Sequence, residues 1–274
     1  MTGEAAPPDP GAPPDRMREL LAIMARLRAA DGCPWDRQQT YATIAPYTIE
    51  EAYEVADAVE RGDLAHLKDE LGDLLFQVVF HAQIAAEARQ FDFQGVAGAI
   101  CDKLIRRHPH VFGPSGPLSR AQQSAAWEDI KAAERRAADP AAASHLDGVP
   151  RALPALARAY KLSKRAARVG FDFEHSSQTA DKVAEELAEV RDAAAQGAPA
   201  TAHIFEEVGD LLFAAANLAR KLDVDAEAAL RAANIKFERR FRGMETLAAA
   251  RGETFADLKL DAQERLWQEV KRDE

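Results

Sequence analysis

The sequence predicts an all-α protein made of two tandem copies of one helical bundle. Apolar residues recur at helical spacing along most of the chain, and strand-type alternation is nearly absent. One set of acidic, basic and aromatic residues also occurs twice, roughly 135 residues apart. The length, 274 residues, fits about two domains at ~150 residues each.

The elements follow in order. Residues 1–15 are rich in Pro, Ala and Gly without an apolar stretch, and read as a disordered tail. Asp15 caps a helix over 16–30 that places Leu20, Ile23, Met24 and Leu27 on one face. Gly32, Pro34 and Pro46 mark 31–47 as loop, Thr48 opens the next helix, and Gly62 closes it. Asp63 caps a helix to about Gln90, and another runs from about Gln94 to Arg107. Residues 109–118, with two Gly and three Pro, read as loop, and Ser119 caps a fifth helix to about Ala138. The first repeat is thus 16–138 and the linker is 139–153. The second repeat, 154–274, has helices over 154–168, 179–196, 201–222 and 225–251, and a last one from Asp261.

Composition narrows the function. Net charge is −10, which argues against a duplex nucleic-acid binder, whose footprint is basic. No apolar run approaches the ~20 residues of a membrane helix. Cys33 and Cys101 form no Cys-x-x-Cys pattern, as expected of isolated thiols in a cytoplasmic protein.

The repeated residues carry the chemistry. Glu51, Glu54, Glu70 and Asp73 in the first repeat are matched by Glu186, Glu189, Glu207 and Asp210 in the second. Residues three apart share a helix face, so two such helices side by side bring four carboxylates together. Such a group repels itself unless compensated, and all-oxygen ligands suit a hard cation such as Mg²⁺ or Mn²⁺. Two plainer readings compete. A lone Glu-x-x-Glu is usually a solvated face, and Thr48 with Glu51 also forms a capping box. Against them stands a glycine inside each acidic pair, Gly72 and Gly209, which costs a helix roughly 1 kcal/mol and suggests that a helix or ligand approaches closely. Lys236 and Arg240 share a face beside Arg239, and match Lys103 and Arg107. Trp267 and Lys271 match Trp127 and Lys131. Acids, cations and an aromatic together fit a cation bridging a polyphosphate, with cations on the phosphates and the ring near a base. No Gly-x-x-x-x-Gly-Lys-Ser/Thr loop is present, so this is not P-loop chemistry.

These motifs resemble those of the MazG family of all-α nucleotide pyrophosphohydrolases, whose pattern is Glu-Glu-x-x-Glu followed by Glu-x-x-Asp. Gly32-Cys33-Pro34-Trp35-Asp36, 43–48 and Arg107-His108-Pro109-His110-Val111-Phe112 extend the resemblance to residues 16–273. It implies a homodimer of helical bundles converting a nucleoside triphosphate to its monophosphate and pyrophosphate, usually through the C-terminal repeat. It implies that Glu186, Glu189, Glu207 and Asp210 hold Mg²⁺. Lys236, Arg240, Trp267 and Lys271 would contact the nucleotide, with Lys182 and Glu185 in the same segment. Relatives can carry Lys where this chain has His203, which is only partly charged near neutral pH. The alternatives are a narrower dUTP-, dCTP- or phosphoribosyl-ATP-type pyrophosphatase, and a non-catalytic nucleotide or Mg²⁺ sensor.

Overall fold

The computed structural model describes residues 15–113, 116, 119, 122, 123, 126, 127, 130, 131, 133, 134, 144–195 and 201–274. Most of the expected fifth helix (119–138), nearly all of the N-terminal tail, residues 139–143 of the linker and the break at Gly197 and Pro199 lie outside them. The described residues are helical with no strand, and no helix among them is long and apolar enough to cross a membrane. Two compact units divide the chain, 1–132 and 133–274.

The first unit holds α1 (Arg16–Arg28), α2 (Pro34–Gln38), α3 (Tyr41–Arg61), α4 (Leu64–Glu87), α5 (Phe93–Arg107) and α6 (Pro109–Phe112). Asp15 and Asp63 cap α1 and α4 by accepting from the backbone N–H of Arg18 and His66, and Gly62 ends α3 at φ 68°. Three expectations are corrected. The prolines at 34 and 109 each open a short helix in segments read as loop, because a proline at the first helical position loses no hydrogen bond. The helix expected from Thr48 starts at Tyr41 instead. A reciprocal capping box between Thr40 and Thr43 nucleates it, and Pro46 is carried inside. Thr48 is therefore mid-helix, with its hydroxyl against the Ile44 carbonyl and 3.2 Å from His81 Nε2.

Met24, Ile44, Val79 and Phe80 form the core, with α3 and α4 packed side by side and α1 against α4. The buried Arg28 side chain locks this packing. Its guanidinium donates to both Glu87 oxygens at 2.8 and 2.7 Å, donates to the Asp36 and Gln39 carbonyls, and lies 5.4 Å from the Phe80 ring centroid.

The second unit holds α7 (Ala155–Ala167), α8 (Ser176–Ala195), α9 (Thr201–Lys221), α10 (Ala226–Ala250), a 3₁₀ turn (Phe255–Asp257) and α11 (Leu260–Arg272). Helices α8 and α9 are the main packed pair and α7 lies on α9, while α10 packs chiefly on α11 around Met244, Ala248 and Leu266. Of the stretch read as linker, 144–153 belongs to this unit, where Arg165 donates to the carbonyls of Leu146, Asp147 and Gly148.

The Arg28–Glu87 pair predicts a pH signature. Hydrogen bonds from Arg28 hold the Glu87 carboxyl below its ordinary value of 4.5. A carboxyl depressed in the folded state adds stability above its unfolded pKa and loses it as pH falls through the folded value. Glu87→Gln should therefore lower stability to urea at pH 7, by about 1.5–3 kcal/mol at most. The deficit should shrink as pH drops below 4.5. A deficit constant from pH 7 to pH 3 would show that the pair does not titrate as described.

Candidate metal and phosphate site

Each unit brings carboxylates together where its two longest-paired helices meet. In the second unit, Glu186 on α8 and Glu207 and Asp210 on α9 each place a carboxylate oxygen within 4.8 Å of the others. In the first unit Glu51 on α3 and Glu70 and Asp73 on α4 do the same. Glu186 and Glu70 are buried, Glu207 and Glu51 half-buried, and Asp210 and Asp73 exposed, so each cluster opens from a sheltered floor to solvent. The fourth acid of each set neighbours two of the other three. Burial, then the charges of Glu186 and Glu207, push the Glu189 carboxyl above its usual value. Glu70 is raised by burial and then by the neighbouring Glu54. Glu51 is raised by burial and by Asp73, Glu54 and Glu70. Carboxylates that raise one another in this way form a site short of positive charge.

Part of that charge comes from the same helices. Lys182 Nζ lies 2.7 Å from Glu186 and 2.9 Å from Glu185, and both contacts raise its pKa. His203 Nδ1 is 3.2 Å from Glu207, one turn along α9. The first unit has an equivalent that sequence reasoning missed, His66 Nε2 at 3.0 Å from Glu70. The repeat itself held the signal, since His66 and His203 keep the same spacing to their glutamates. It has no equivalent of Lys182, because Tyr47 stands at that place.

Two sequence arguments are corrected. Glu51 does not close a capping box with Thr48, since both lie inside α3, so its carboxylate is not tied to a helix start. Gly72 and Gly209 are not required by packing within their units, because a Cβ at either would meet nothing within 4 Å. These positions face open space.

The basic set forms a second cluster on α10 and α11. Arg239 and Arg240 fork onto the two oxygens of Glu274, with Nη2 contacts of 2.5 and 2.7 Å. The two arginines hold the Glu274 carboxyl down at about 2. Arg240 also lies over the Trp267 ring, 5.4 Å from its centroid, and Phe237 packs 5.6 Å from the same ring. Trp267 thus positions a guanidinium as well as joining the Leu266 core. Lys236 and Lys271 are exposed on the same pair of helices. Among the described residues of the second unit, Glu186 pairs with Lys182 and Glu207 with His203, and Arg239 and Arg240 pair with Glu274. In the first unit Lys131 lies 4.9 Å from the Trp127 ring centroid, and Lys103 and Arg107 are half-buried on α5.

The donors suit a hard divalent cation: only carboxylate oxygens, mutually close and graded from buried to exposed. Cationic side chains on a neighbouring helix pair suit phosphate oxygens.

A family model described as the MazG nucleotide pyrophosphohydrolase domain matches residues 39–112 and again 174–243, each match taking in one acidic cluster. The chain is 53% identical over 261 residues to a nucleoside triphosphate pyrophosphohydrolase of Escherichia coli K12, covering 95% of this chain and 98% of that protein. It is 42% identical over 253 residues to the nucleoside triphosphate pyrophosphohydrolase/pyrophosphatase MazG of Thermotoga maritima, covering 92% and 94%. It is 41% identical over 270 residues to the uncharacterized protein YabN of Bacillus subtilis, covering 96% of this chain and 54% of that one. With two domain matches and full-length relatives, the chain belongs to the MazG nucleotide pyrophosphohydrolase family.

Proposed function

We propose that this chain is a cytoplasmic, Mg²⁺-dependent nucleoside triphosphate pyrophosphohydrolase, releasing a nucleoside monophosphate and pyrophosphate to clear the nucleotide pool. The observation that carries this is the convergence of Glu186, Glu207 and Asp210 in a chain whose full-length relatives bear that activity in their names. Bound among those carboxylates and Glu189, Mg²⁺ or Mn²⁺ would neutralise triphosphate oxygens and make a neighbouring water a stronger nucleophile toward the α-phosphorus. The chain's own residues do the rest. Lys182 and His203 fix the orientation of Glu186 and Glu207, so the floor of the site is set before substrate arrives. Arg239, Arg240, Lys236 and Lys271 offer positive charge to the departing pyrophosphate, with phosphate oxygens replacing Glu274 on the arginine forks.

The uncovered faces favour a homodimer. Phe205, Val208 and Leu212 form an i, i+3, i+7 stripe on α9 and are 83%, 38% and 52% exposed. Ile235 and Phe237 on α10 are half-exposed as well. The open space at Gly209 lies on the same helix as that stripe. A second copy, related by twofold symmetry, would cover such stripes reciprocally.

A second reading concerns the first unit alone. Tyr47 in place of Lys182 leaves its acids without the lysine that fixes Glu186, which favours binding with little turnover there.

Three outcomes are expected. Release of AMP and pyrophosphate from ATP should require Mg²⁺ or Mn²⁺ and cease in excess EDTA; full turnover under chelation would contradict the carboxylate site. Glu186→Ala should remove most of the initial rate on ATP and dATP, and Glu51→Ala much less. The reverse order would place catalysis in the first unit. Light scattering at micromolar concentration should give about twice the chain mass of 29.9 kDa. A monomer mass would leave the α9 stripe uncovered and refute the dimer.

A further inference from the structure

The basic cluster of the second unit already holds an anion of its own. Arg239 donates to one oxygen of Glu274 through Nε at 3.2 Å and Nη2 at 2.5 Å, and Arg240 donates to the other through Nε at 3.1 Å and Nη2 at 2.7 Å. One carboxylate thus takes the donors of two planar forks, the same donors that would match phosphate oxygens. The two arginines hold that carboxyl down at about 2, so it stays ionised near neutral pH.

This contact is not what holds α10 to α11. Their packing rests on Met244, Ala248 and Leu266, and on Arg251, whose Nη2 donates to both oxygens of Glu269 at 2.5 and 2.7 Å. Glu274 lies beyond the last helical residue, Arg272, and its C-cap, Asp273. Its side chain can swing away without breaking a helical hydrogen bond. Arg240 keeps its place when that happens. Its side chain is only 16% exposed and its guanidinium lies 5.4 Å from the Trp267 ring centroid, whereas the Arg239 side chain is 64% exposed. The ring therefore leaves one cation aligned for an incoming anion.

We infer that Glu274 is an internal competitor of the substrate: its carboxylate occupies the Arg239–Arg240 pair in the free protein and must be displaced before phosphate oxygens bind there. The inference rests on the reading of these arginines as phosphate ligands, and adds a regulatory contact to it. A competitor of this kind lowers apparent affinity by the fraction of molecules in which the pair is free. The penalty falls on every ligand that needs the arginines, and on none that needs only the acids, such as a free divalent cation. Two partly exposed ion pairs, each of modest strength in water, set it at about two- to thirtyfold. The same carboxylate retakes the forks as pyrophosphate departs, which favours release of that product.

Calorimetry of the full-length protein with Mg²⁺ and α,β-methylene-ATP tests this in the wild type, Glu274→Gln, Arg239→Ala/Arg240→Ala and the triple variant. Glu274→Gln should bind the analogue at least about threefold more tightly than the wild type. Mn²⁺ binding without nucleotide, read by electron paramagnetic resonance, should stay within about twofold, which also reports an intact fold. The gain should vanish when Glu274→Gln is added to the arginine double variant, because no fork remains to be freed. Equal or weaker binding by Glu274→Gln would overturn the inference and mark the carboxylate as an idle or a positioning contact. A gain that survives in the triple variant would overturn it too, since loss of one negative charge would then suffice. Failure of the parent reading looks different: Arg239→Ala/Arg240→Ala would bind the analogue as tightly as the wild type, and the competition would fall with it.

Discussion

Carboxylates repel, and both units of this protein are built around forcing three of them together. Oxygens of Glu186, Glu207 and Asp210 lie within 4.8 Å of one another, as do those of Glu51, Glu70 and Asp73. Helix geometry explains how a chain can impose this. An i, i+3 pair puts two acids on one face of α9, and the α8–α9 packing carries Glu186 to the same point. The helices are held by apolar contacts elsewhere along their length, so the repulsion is offset by the fold and remains available to a cation. Elsewhere in the second unit Lys182 contacts Glu186, His203 contacts Glu207, and Asp172 ties the loop after α7 to the end of α9.

The two units keep the same acids but differ in what surrounds them. Lys182 grips Glu186 in the second, whereas Tyr47 occupies its place in the first, 6.2 Å from Trp35 in an edge-on aromatic pair. Arg240 lies over Trp267 in one, and Lys131 over Trp127 in the other. Arg240 and Lys131 are not equivalent, since Arg240 matches Arg107 and Lys131 matches Lys271, so a different member of the basic set meets the ring in each unit. Duplication has left a shared acidic frame with unequal cationic partners.

Much of this was legible in the sequence because it is local. Acids three apart, caps at Asp15, Asp63 and Asp225, and the left-handed Gly62 are all set by near neighbours. What stayed hidden depended on contacts between distant segments or on rival local signals. Pro46 reads as a breaker, yet the Thr40–Thr43 box outweighs it and starts α3 seven residues before Thr48. Arg28 looks like one more surface arginine until folding brings Glu87 to it, 59 residues away. Glu274 gives no hint of its place between Arg239 and Arg240. Gly72 and Gly209 misled in another way: their glycines suggested close packing, but the space beside each is open within its unit.

Whether each acidic cluster takes a divalent cation is the question on which everything else turns, and it can be asked without substrate. Electron paramagnetic resonance titration with Mn²⁺ counts bound ions on the intact chain. The account expects one ion for each cluster in the wild type, loss of the second unit's ion in Glu186→Gln, and loss of both in Glu51→Gln/Glu186→Gln. Mn²⁺ binding that is the same in the double variant as in the wild type would show that these carboxylates are not a metal site.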